Sequence, residues 1–295
     1  MTLSGFWRSA LDPERVMRAE IRRWQEDTWQ QREEQLTVEE PFEVRINNQS
    51  IAVIMRTPGH DQELAMGFLF SEGVIRQADE VESIQVALDN DGLPLENVLN
   101  VVLRSSAQAC AVQPPVSESS GAGPLTFERH FAVSASCGLC GKNSIADLLI
   151  ATPPLEADAV RISAPILYTL ADQLRTGQKV FRYTGGLHAA GLFTTAGELV
   201  LLREDVGRHN AVDKLVGYGL LHGTYPYSSS VLLVSGRTSF EIIQKALLAR
   251  IPCIAAISAP SSLAVELAEK SGITLIGFLR DQSMNVYTHP ERVVS

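Results

Sequence analysis

The chain has 295 residues, a formal net charge of −9 at pH 7 and 45% apolar residues, the composition of a globular protein. The acidic balance argues against a general binder of nucleic acids or of anionic membrane surfaces, and four cysteines are too few for a secreted disulfide framework of this length. The first twenty residues contain no apolar core of a signal peptide, and no run approaches the roughly twenty apolar residues that span a bilayer, so we expect a cytoplasmic protein.

The first forty residues form a charged segment of their own. Residues 15–34 are rich in Arg, Glu, Gln and Trp, which favours an exposed, partly amphipathic helix. We therefore expect residues 1–40 to be a charged helical leader, either a solvated surface helix or an arm for a partner.

Residues 41–150 are expected to form a small α+β domain. Apolar residues alternate in four short runs that predict strands. Asp61 is a plausible N-cap for a helix that stops at Gly73. The predicted strands are residues 42–46, 51–55, 83–88 and 98–103. Residues 105–129, rich in Ser, Pro, Gly and Ala, predict a mobile linker.

Residues 151–295 alternate apolar strands and helices at close spacing. This alternation predicts an α/β sandwich with a largely parallel sheet. The predicted helices are residues 165–176, 209–218, 240–250 and 263–271, and the predicted strands are residues 187–193, 199–204, 231–234, 253–257 and 274–278.

The strongest chemical signal is the run Ser136-Cys137-Gly138-Leu139-Cys140-Gly141-Lys142. Lys142 and the start of a following helix would both favour a reactive thiolate, and the glycines would let the loop present its sulfur to a large partner. Three alternatives stay open. A structural zinc site needs about four ligands, whereas Cys110 and Cys253 are single and distant; a thioredoxin-like pair would open a helix early in a βαβ unit; and both cysteines would be inert if buried.

Anion-binding residues follow three of the predicted strands. Arg208 and His209 open a helix after residue 205, and Arg237 lies in a similar run, Ser235-Gly236-Arg237-Thr238-Ser239. After the last predicted strand, Arg280 would hold an anion and Phe278 would offer a stacking surface. The alternatives without a ligand are an ordinary capped surface helix and an exposed connecting loop. The residue spacing in the run 235–239 is not that of a Walker sequence, so it does not indicate ATP hydrolysis.

Taken together, these segments resemble the formate dehydrogenase accessory sulfurtransferase family, FdhD, from about residue 42 to residue 289. The motifs that carry the resemblance are Arg56-Thr57-Pro58-Gly59-His60, Gly67-Phe68-Leu69-Phe70-Ser71-Glu72-Gly73, Cys137-Gly138-Leu139-Cys140-Gly141, Gly186-Leu187-His188-Ala189-Ala190, Asp205-Val206-Gly207-Arg208-His209-Asn210-Ala211-Val212-Asp213-Lys214 and Ser235-Gly236-Arg237.

The resemblance implies a sulfurtransferase with a cysteine persulfide intermediate. A cysteine desulfurase would load sulfur onto Cys137, and Cys140 would assist its transfer to the molybdenum cofactor, a bis(molybdopterin guanine dinucleotide), before that cofactor enters apo formate dehydrogenase. The implied cofactor-binding segment is Phe278, Leu279, Arg280, Asp281, Gln282 and Ser283, with Arg237 and His209 as further anion partners. GDP should act as a fragment mimic, and a homodimer is implied. A non-enzymatic chaperone that only binds the cofactor is the alternative.

The resemblance also implies that residues 151–295 form a three-layer domain like that of cytidine deaminases. Such enzymes need a metal ligand followed two residues later by a glutamate, and then a Pro-Cys-x-x-Cys segment. Here the helix start reads His209-Asn210-Ala211, and Ala256 stands where a second thiolate would follow Cys253. We therefore expect neither zinc binding nor deamination.

Overall fold

The computed structural model describes residues 6–8, 14–104, 152–156 and 159–295. The helices within these ranges are α1 (Asp61–Ser71), α2 (Ala164–Gly177), α3 (Phe181–Thr184), α4 (Arg208–His222), α5 (Phe240–Leu248) and α6 (Ser262–Ser271). The strands are β1 (Phe6–Arg8), β2 (Val16–Gln25), β3 (Thr28–Thr37), β4 (Glu40–Ile46), β5 (Gln49–Arg56), β6 (Val81–Leu88), β7 (Pro94–Leu103), β8 (Ile162–Ser163), β9 (His188–Thr194), β10 (Leu199–Asp205), β11 (Ser230–Val234), β12 (Cys253–Ala256), β13 (Thr274–Arg280), β14 (Ser283–Thr288) and β15 (Val293–Val294).

The predicted charged helical leader is wrong, because β2 and β3 form a ten-residue antiparallel hairpin, with β1 on the other side of β2. Glu26 and Asp27 both have positive φ, 50° and 57°, as a two-residue hairpin turn requires. Trp24 and Trp29 face each other across the strands with ring centroids 5.2 Å apart. Such cross-strand pairs stabilise a hairpin, and a composition-based reading does not detect them.

The four strands predicted in the N-terminal unit are confirmed, and they form a sheet of order β5-β4-β7-β6. The central β4–β7 pair is parallel and the two outer pairs are antiparallel. The predicted N-cap is displaced by one residue, since His60, at φ 60°, precedes α1, and Asp61 lies in its first turn.

The large sheet has the order β10-β9-β11-β12-β13-β14. Only the β11–β12 and β12–β13 pairs are parallel, so the prediction of a largely parallel sheet is wrong. Two short reversals explain the difference. A turn closed by Thr194 and Glu198 joins β9 to β10, and the chain reverses again after β13 at Asp281, which has a φ of 53°. The predicted helices and the alternation of helices and strands are confirmed.

Helices cover both faces of this mixed sheet. On β11, Val231 and Leu233 share a buried cluster with leucines of α2, whereas Leu232 and Val234 share another with α4, α5 and α6. This alternation follows from the two-residue period of a strand. The chain is therefore a mixed α/β protein in which strand side chains are buried on both faces.

Helices α1 and α4 join the N-terminal unit to the large sheet at very short range. A Cβ atom added at Gly67 would lie 1.9 Å from the carbonyl oxygen of Asp213, and one added at Gly217 would lie 1.8 Å from the carbonyl oxygen of Glu63. The two backbones can approach this closely only because both positions are glycine. A single hydrophobic cluster runs from Phe42 through α1 and α4 to Leu275.

An ion pair supports the same contact. Arg203 on β10 donates to both carboxylate oxygens of Glu63 on α1, with Nη2 at 2.8 Å from Oε1, and His60 lies 3.3 Å from the same carboxylate. Burial opposes ionisation, but the hydrogen bonds from Arg203 and then from His60 outweigh it. The pKa of Glu63 is therefore lowered to about 2.

Arg104 and residues 153–155, on either side of the range 105–151, are hydrogen-bonded to the folded body. Arg104, at the end of β7, donates from its backbone to Glu80 at 2.9 Å and from Nε to the carbonyl of Asp79 at 2.8 Å. On the other side, Arg250 donates to the carbonyl of Pro153 at 2.7 Å, and Leu155 donates to the carbonyl of Ser271 at 2.9 Å. The predicted linker at 105–129, Cys110, Cys137, Cys140 and the helix expected after them lie outside the described residues.

In the part of the chain that the structure describes, no helix is both long and apolar enough to cross a bilayer.

Because α1 and α4 are in backbone contact at their glycines, replacing one of these glycines by alanine should destabilise the protein, the opposite of the usual effect inside a helix. Gly→Ala inside a helix normally stabilises a protein by about 1 kcal/mol, but Gly217→Ala should lower the free energy of unfolding by more than about 2 kcal/mol because the new methyl group meets backbone. Gly177→Ala is the matched control, since its Cβ would meet only the ends of leucine side chains, at 2.9 and 3.3 Å. Urea denaturation of both variants measures the difference, and equal stabilities would contradict the packing described.

Candidate functional site

A buried carboxylate organises the segment between β10 and α4. Asp205 Oδ1 accepts from the backbone of Gly207 and from Asn210 Nδ2, both at 2.8 Å. Its Oδ2 accepts from the backbone of Thr57 at 3.2 Å and from Lys214 Nζ at 2.7 Å. Lys214 also donates to the carbonyl of Thr57 at 2.9 Å. Two of the motifs that carry the resemblance are thus held against each other, although they are about 150 residues apart.

Both members of this pair are fully buried, at 0% exposure. Burial lowers the pKa of Lys214, and the charge of Asp205 counteracts that effect. Gly207, the residue before α4, is the N-cap, and a Cβ there would lie 2.7 Å from Asn210 Nδ2. Asp205 therefore fixes the backbone that leads into α4 rather than capping the helix, and the helix start carries no side-chain cap.

Cationic side chains surround this helix start. The group of His188, Arg208, Gly236 and Arg237 is called the basic corner below. A Cβ atom at Gly236 would lie 3.1 Å from His188 Nδ1 and 3.6 Å from Arg208 Cδ, so these residues are in direct proximity. Burial lowers the pKa of His188, and the positive charges of Arg208 and Arg237 lower it further, against an opposing effect of Asp205.

Two buried polar atoms beside the basic corner lack a hydrogen-bond partner among the described residues. They are Arg208 Nε and Thr238 Oγ1. A buried donor without a partner costs free energy unless something binds it. A helix start without a side-chain cap, two guanidinium groups and spare donors together suit a bound anion, in particular a phosphate.

His209, predicted as an anion partner, follows Arg208 at the start of α4, and its ring contacts the start of α5. Its Nε2 lies 3.0 Å from Ser239 Oγ and 3.9 Å from the carboxylate of Glu241. Although burial raises the pKa of Glu241, the hydrogen bond from Ser239 contributes most to a net lowering. The side chain of His209 therefore links α4 to α5 beside a carboxylate, and Arg208 carries the spare donor.

The ends of β11, β12 and β13 lie side by side at one edge of the sheet. Thr238 donates from its backbone to Ala259 at 3.2 Å, and Phe278 donates to Ser258 at 3.2 Å. The edge that holds Arg237 thus continues to the predicted segment 278–283. Parallel strands leave a ligand crevice outside their carboxyl ends.

Within the predicted segment, the side chains divide into two groups. Phe278 has a φ of 52°, and the guanidinium of Arg280 lies 5.9 Å from its ring. Asp281, Gln282 and Ser283 are exposed, whereas Leu279 is fully buried in the α2 cluster. Leu279 can therefore contact a ligand only through its backbone, because its side chain is buried.

Sequence reasoning missed His188 as a site residue, although it quoted the motif that contains it. The available signal was a histidine at the start of a strand, directly after Gly185-Gly186-Leu187. The proximity to Gly236 became visible only in three dimensions, because the two positions are 48 residues apart.

In the part of the chain that the structure describes, no group of three or more His, Cys, Asp or Glu side chains is arranged to hold a metal ion. Cys253 is fully buried at the start of β12, whereas the other cysteines lie outside the described ranges. The expectation that residues 151–295 bind no zinc stays a prediction.

Comparison with known proteins gives a consistent set of relatives. The sequence model of the FdhD/NarQ family matches residues 37–294. The chain is 50% identical over 265 residues to the sulfur carrier protein FdhD of Streptomyces avermitilis, which covers 89% of this chain and 90% of that protein. It is 46% identical over 260 residues to the protein of the same name from Sulfurisphaera tokodaii, with 87% and 90% coverage.

A solved structure shows the same fold. The crystal structure of a candidate formate dehydrogenase accessory protein from Desulfotalea psychrophila superposes with a TM-score of 0.71, covering 95% of this chain and 100% of that one at 24% identity.

The basic corner predicts a histidine whose titration reports on bound anions. The pKa of His188 should lie below its ordinary value, rise in Arg208→Gln because one neighbouring positive charge is lost, and rise when inorganic pyrophosphate is added. NMR titration of the histidine ring, assigned with His188→Gln, measures these changes. Arg22→Gln, at an exposed position near the turn of the β2–β3 hairpin, is the control and should leave the titration unchanged. An unchanged pKa in Arg208→Gln would show that the corner is not the electrostatic unit described.

Proposed function

The chain belongs to the FdhD/NarQ family, and on that basis we propose that it is a cytoplasmic sulfur carrier with sulfurtransferase activity. It takes persulfide sulfur from a cysteine desulfurase and transfers it to the molybdenum cofactor before that cofactor enters apo formate dehydrogenase. The observation that carries this proposal is the 50% identity, over 89% of the chain, to a protein named as a sulfur carrier. The range matched by the family includes Cys137 and Cys140.

The proposed sulfur transfer needs the two thiols of Cys137 and Cys140 and proceeds in two balanced steps. The Cys137 thiolate attacks the outer sulfur of the desulfurase persulfide, so that a new S–S bond forms and the desulfurase thiolate leaves. Cys140 then attacks the inner sulfur of the Cys137 persulfide, which forms a Cys137–Cys140 disulfide and releases the outer sulfur as hydrosulfide. The electron pair of the new S–S bond comes from the Cys140 thiolate, the outer sulfur leaves with the electron pair of the broken persulfide bond, and a dithiol reductant restores both thiols.

The described structure supports a docking place for the anionic end of the substrate. A bis(molybdopterin guanine dinucleotide) carries diphosphate groups, and the basic corner offers Arg208 Nε as a spare donor beside the start of α4. Phe278 offers a ring for stacking against guanine, and Arg280 offers a cation beside it. We propose that His188, Arg208 and Arg237 bind phosphate and that residues 278–283 bind the nucleoside.

Two finer points belong to the same proposal. Helices on both faces of the mixed sheet support a layering like that of cytidine deaminases for residues 151–295. A homodimer is proposed as the working unit. A chaperone that binds the cofactor without carrying sulfur would also use the basic corner, and the experiment on Cys137 separates the two functions.

Cys137→Ser should abolish both the sulfur carried after treatment with desulfurase and cysteine and the maturation of formate dehydrogenase, because serine forms no persulfide. Mass spectrometry should show an added mass of one sulfur atom, about 32 Da, only when Cys137 is present. Cys253→Ala is the control and should load normally, since its thiol is fully buried. Normal maturation by Cys137→Ser would favour the chaperone.

GDP should bind as a fragment of the cofactor. Calorimetry should detect binding to the wild type at millimolar concentration or below, and the double variant Arg237→Ala, Arg280→Ala should weaken it by at least about tenfold, since two charge-assisted contacts are lost. The double variant Arg22→Ala, Arg23→Ala in the hairpin is a control with the same loss of charge. The absence of wild-type binding, or equal binding by both double variants, would contradict the proposed site.

A further inference from the structure

The outer edge of the β2–β3 hairpin pairs with no other strand among the described residues, although Thr37 at the end of β3 contacts α3. The three-stranded sheet has the order β1-β2-β3, so β3 is an outer strand. Most of its ten residues are exposed, and none is proline or glycine. Long, exposed edge strands are usually protected in proteins, because their free N–H and C=O groups pair readily with another strand.

The register of the hairpin shows which backbone groups are free. Gln25 and Thr28 flank the two-residue turn, so they form the first hydrogen-bonded pair. Alternate residues of β3 from Thr28 onward therefore bond to β2. The residues between them, which are Trp29, Gln31, Glu33 and Gln35, direct their N–H and C=O groups to the outside.

We infer that this edge pairs with β3 of a second copy of the chain, which gives a continuous six-stranded sheet across a two-fold axis. The inference rests on the homodimer proposed above and does not depend on the sulfur chemistry. A two-fold axis perpendicular to an antiparallel sheet places residues opposite each other only when their side chains share a face. Any residue of β3 could lie at such an axis, and the two registers that pair most of the strand Thr28–Thr37 are centred on Arg32 and on Glu33.

Charge complementarity selects the first of these registers. Centred on Glu33, the pairing places Arg32 opposite Glu34 of the second copy, twice, and Gln31 opposite Gln35, twice. Glu33 meets its own copy at the axis, but each Glu33 carboxylate already pairs with Arg18 of its own chain at 3.0 Å. Centred on Arg32, the pairing opposes two Arg32 side chains and forms no ion pair between directly opposite residues. Opposite charges directly across strands are favourable and like charges are unfavourable.

The same register also covers an exposed aromatic residue. Trp29 is 65% exposed and is placed opposite Thr37 of the second copy. The hydroxyl of Thr37 lies 2.8 Å from Thr184 Oγ1 on α3, where Tyr183 is 45% exposed. A cavity of about 540 Å³ lies beside this helix, and Phe181, Arg182 and Arg175 line it. Aromatic and arginine side chains are typical partners of a tryptophan at an interface.

A charge exchange on the full-length protein tests the pairing. Arg32→Glu and Glu34→Arg, made singly, each place like charges opposite each other twice and should weaken dimerisation by at least about tenfold. The double variant Arg32→Glu, Glu34→Arg restores both pairs with reversed polarity and should dimerise like the wild type. Sedimentation velocity over a concentration series measures the association, and circular dichroism checks that each variant folds.

A cross-link tests the register. In the proposed pairing, the two copies of a Glu33→Cys variant bring their new thiols face to face at a Cα distance of about 5.5 Å, which a disulfide can span. Gln35→Cys is the control, since its two copies lie four residues apart along the strands, at about 13 Å. Peptide mapping should identify a disulfide between the two copies of the Glu33→Cys variant and none between the two copies of the Gln35→Cys variant.

Each outcome either supports the inference or overturns it. A monomeric wild type would overturn both the interface and the proposed homodimer. If the single variants stay fully dimeric, the dimer interface lies on another surface. If the double variant dimerises as weakly as the single variants, Arg32 and Glu34 do not form the proposed ion pairs. Sulfur loading of Cys137, measured on the same variants, tests the sulfur-carrier function separately, because the two properties fail independently.

Discussion

The buried pair of Asp205 and Lys214 is the constraint on which the candidate site depends. A carboxylate and an ammonium group at 0% exposure are tolerated only when their hydrogen bonds are complete. Asp205 receives four donors, and Lys214 reaches both Asp205 and the carbonyl of Thr57. The position of the 56–60 motif and the entry into α4 are therefore fixed by one hydrogen-bonded unit.

This arrangement leaves the next residue, Arg208, with a buried donor that has no partner among the described residues. The buried charge of Asp205 is thus neutralised by Lys214, whereas the guanidinium of Arg208 beside the crevice keeps a donor for a ligand. The glycine crossing of α1 and α4 supports the geometry from the other side, because it holds the backbone of Asp213, eight residues after Asp205, against Gly67. Packing and electrostatics therefore act on the same short segment of the candidate site.

The sequence predicted much of the fold and part of the candidate site. Strands such as residues 231–234 and helices such as residues 263–271 were recognisable because apolar periodicity reports burial directly. The hairpin of β2 and β3 was missed, since its stability comes from cross-strand pairs and from two positive φ values that composition does not encode. The glycines before His188 could have marked it in the sequence, but its proximity to Gly236 and the contact of His209 with Ser239 join distant parts of the chain, which no local pattern predicts. Cys137 and Cys140 were identified from the sequence alone and lie outside the described residues.

The anchoring of Arg104 and of residues 153–155 has a consequence for how a thiol between them would act. The chain leaves the folded body at Arg104 and returns to the same body at residues 153–155. Cys137 and Cys140 are therefore joined to that body by the backbone on both sides, and a single backbone cut in either connection would leave them attached through the other.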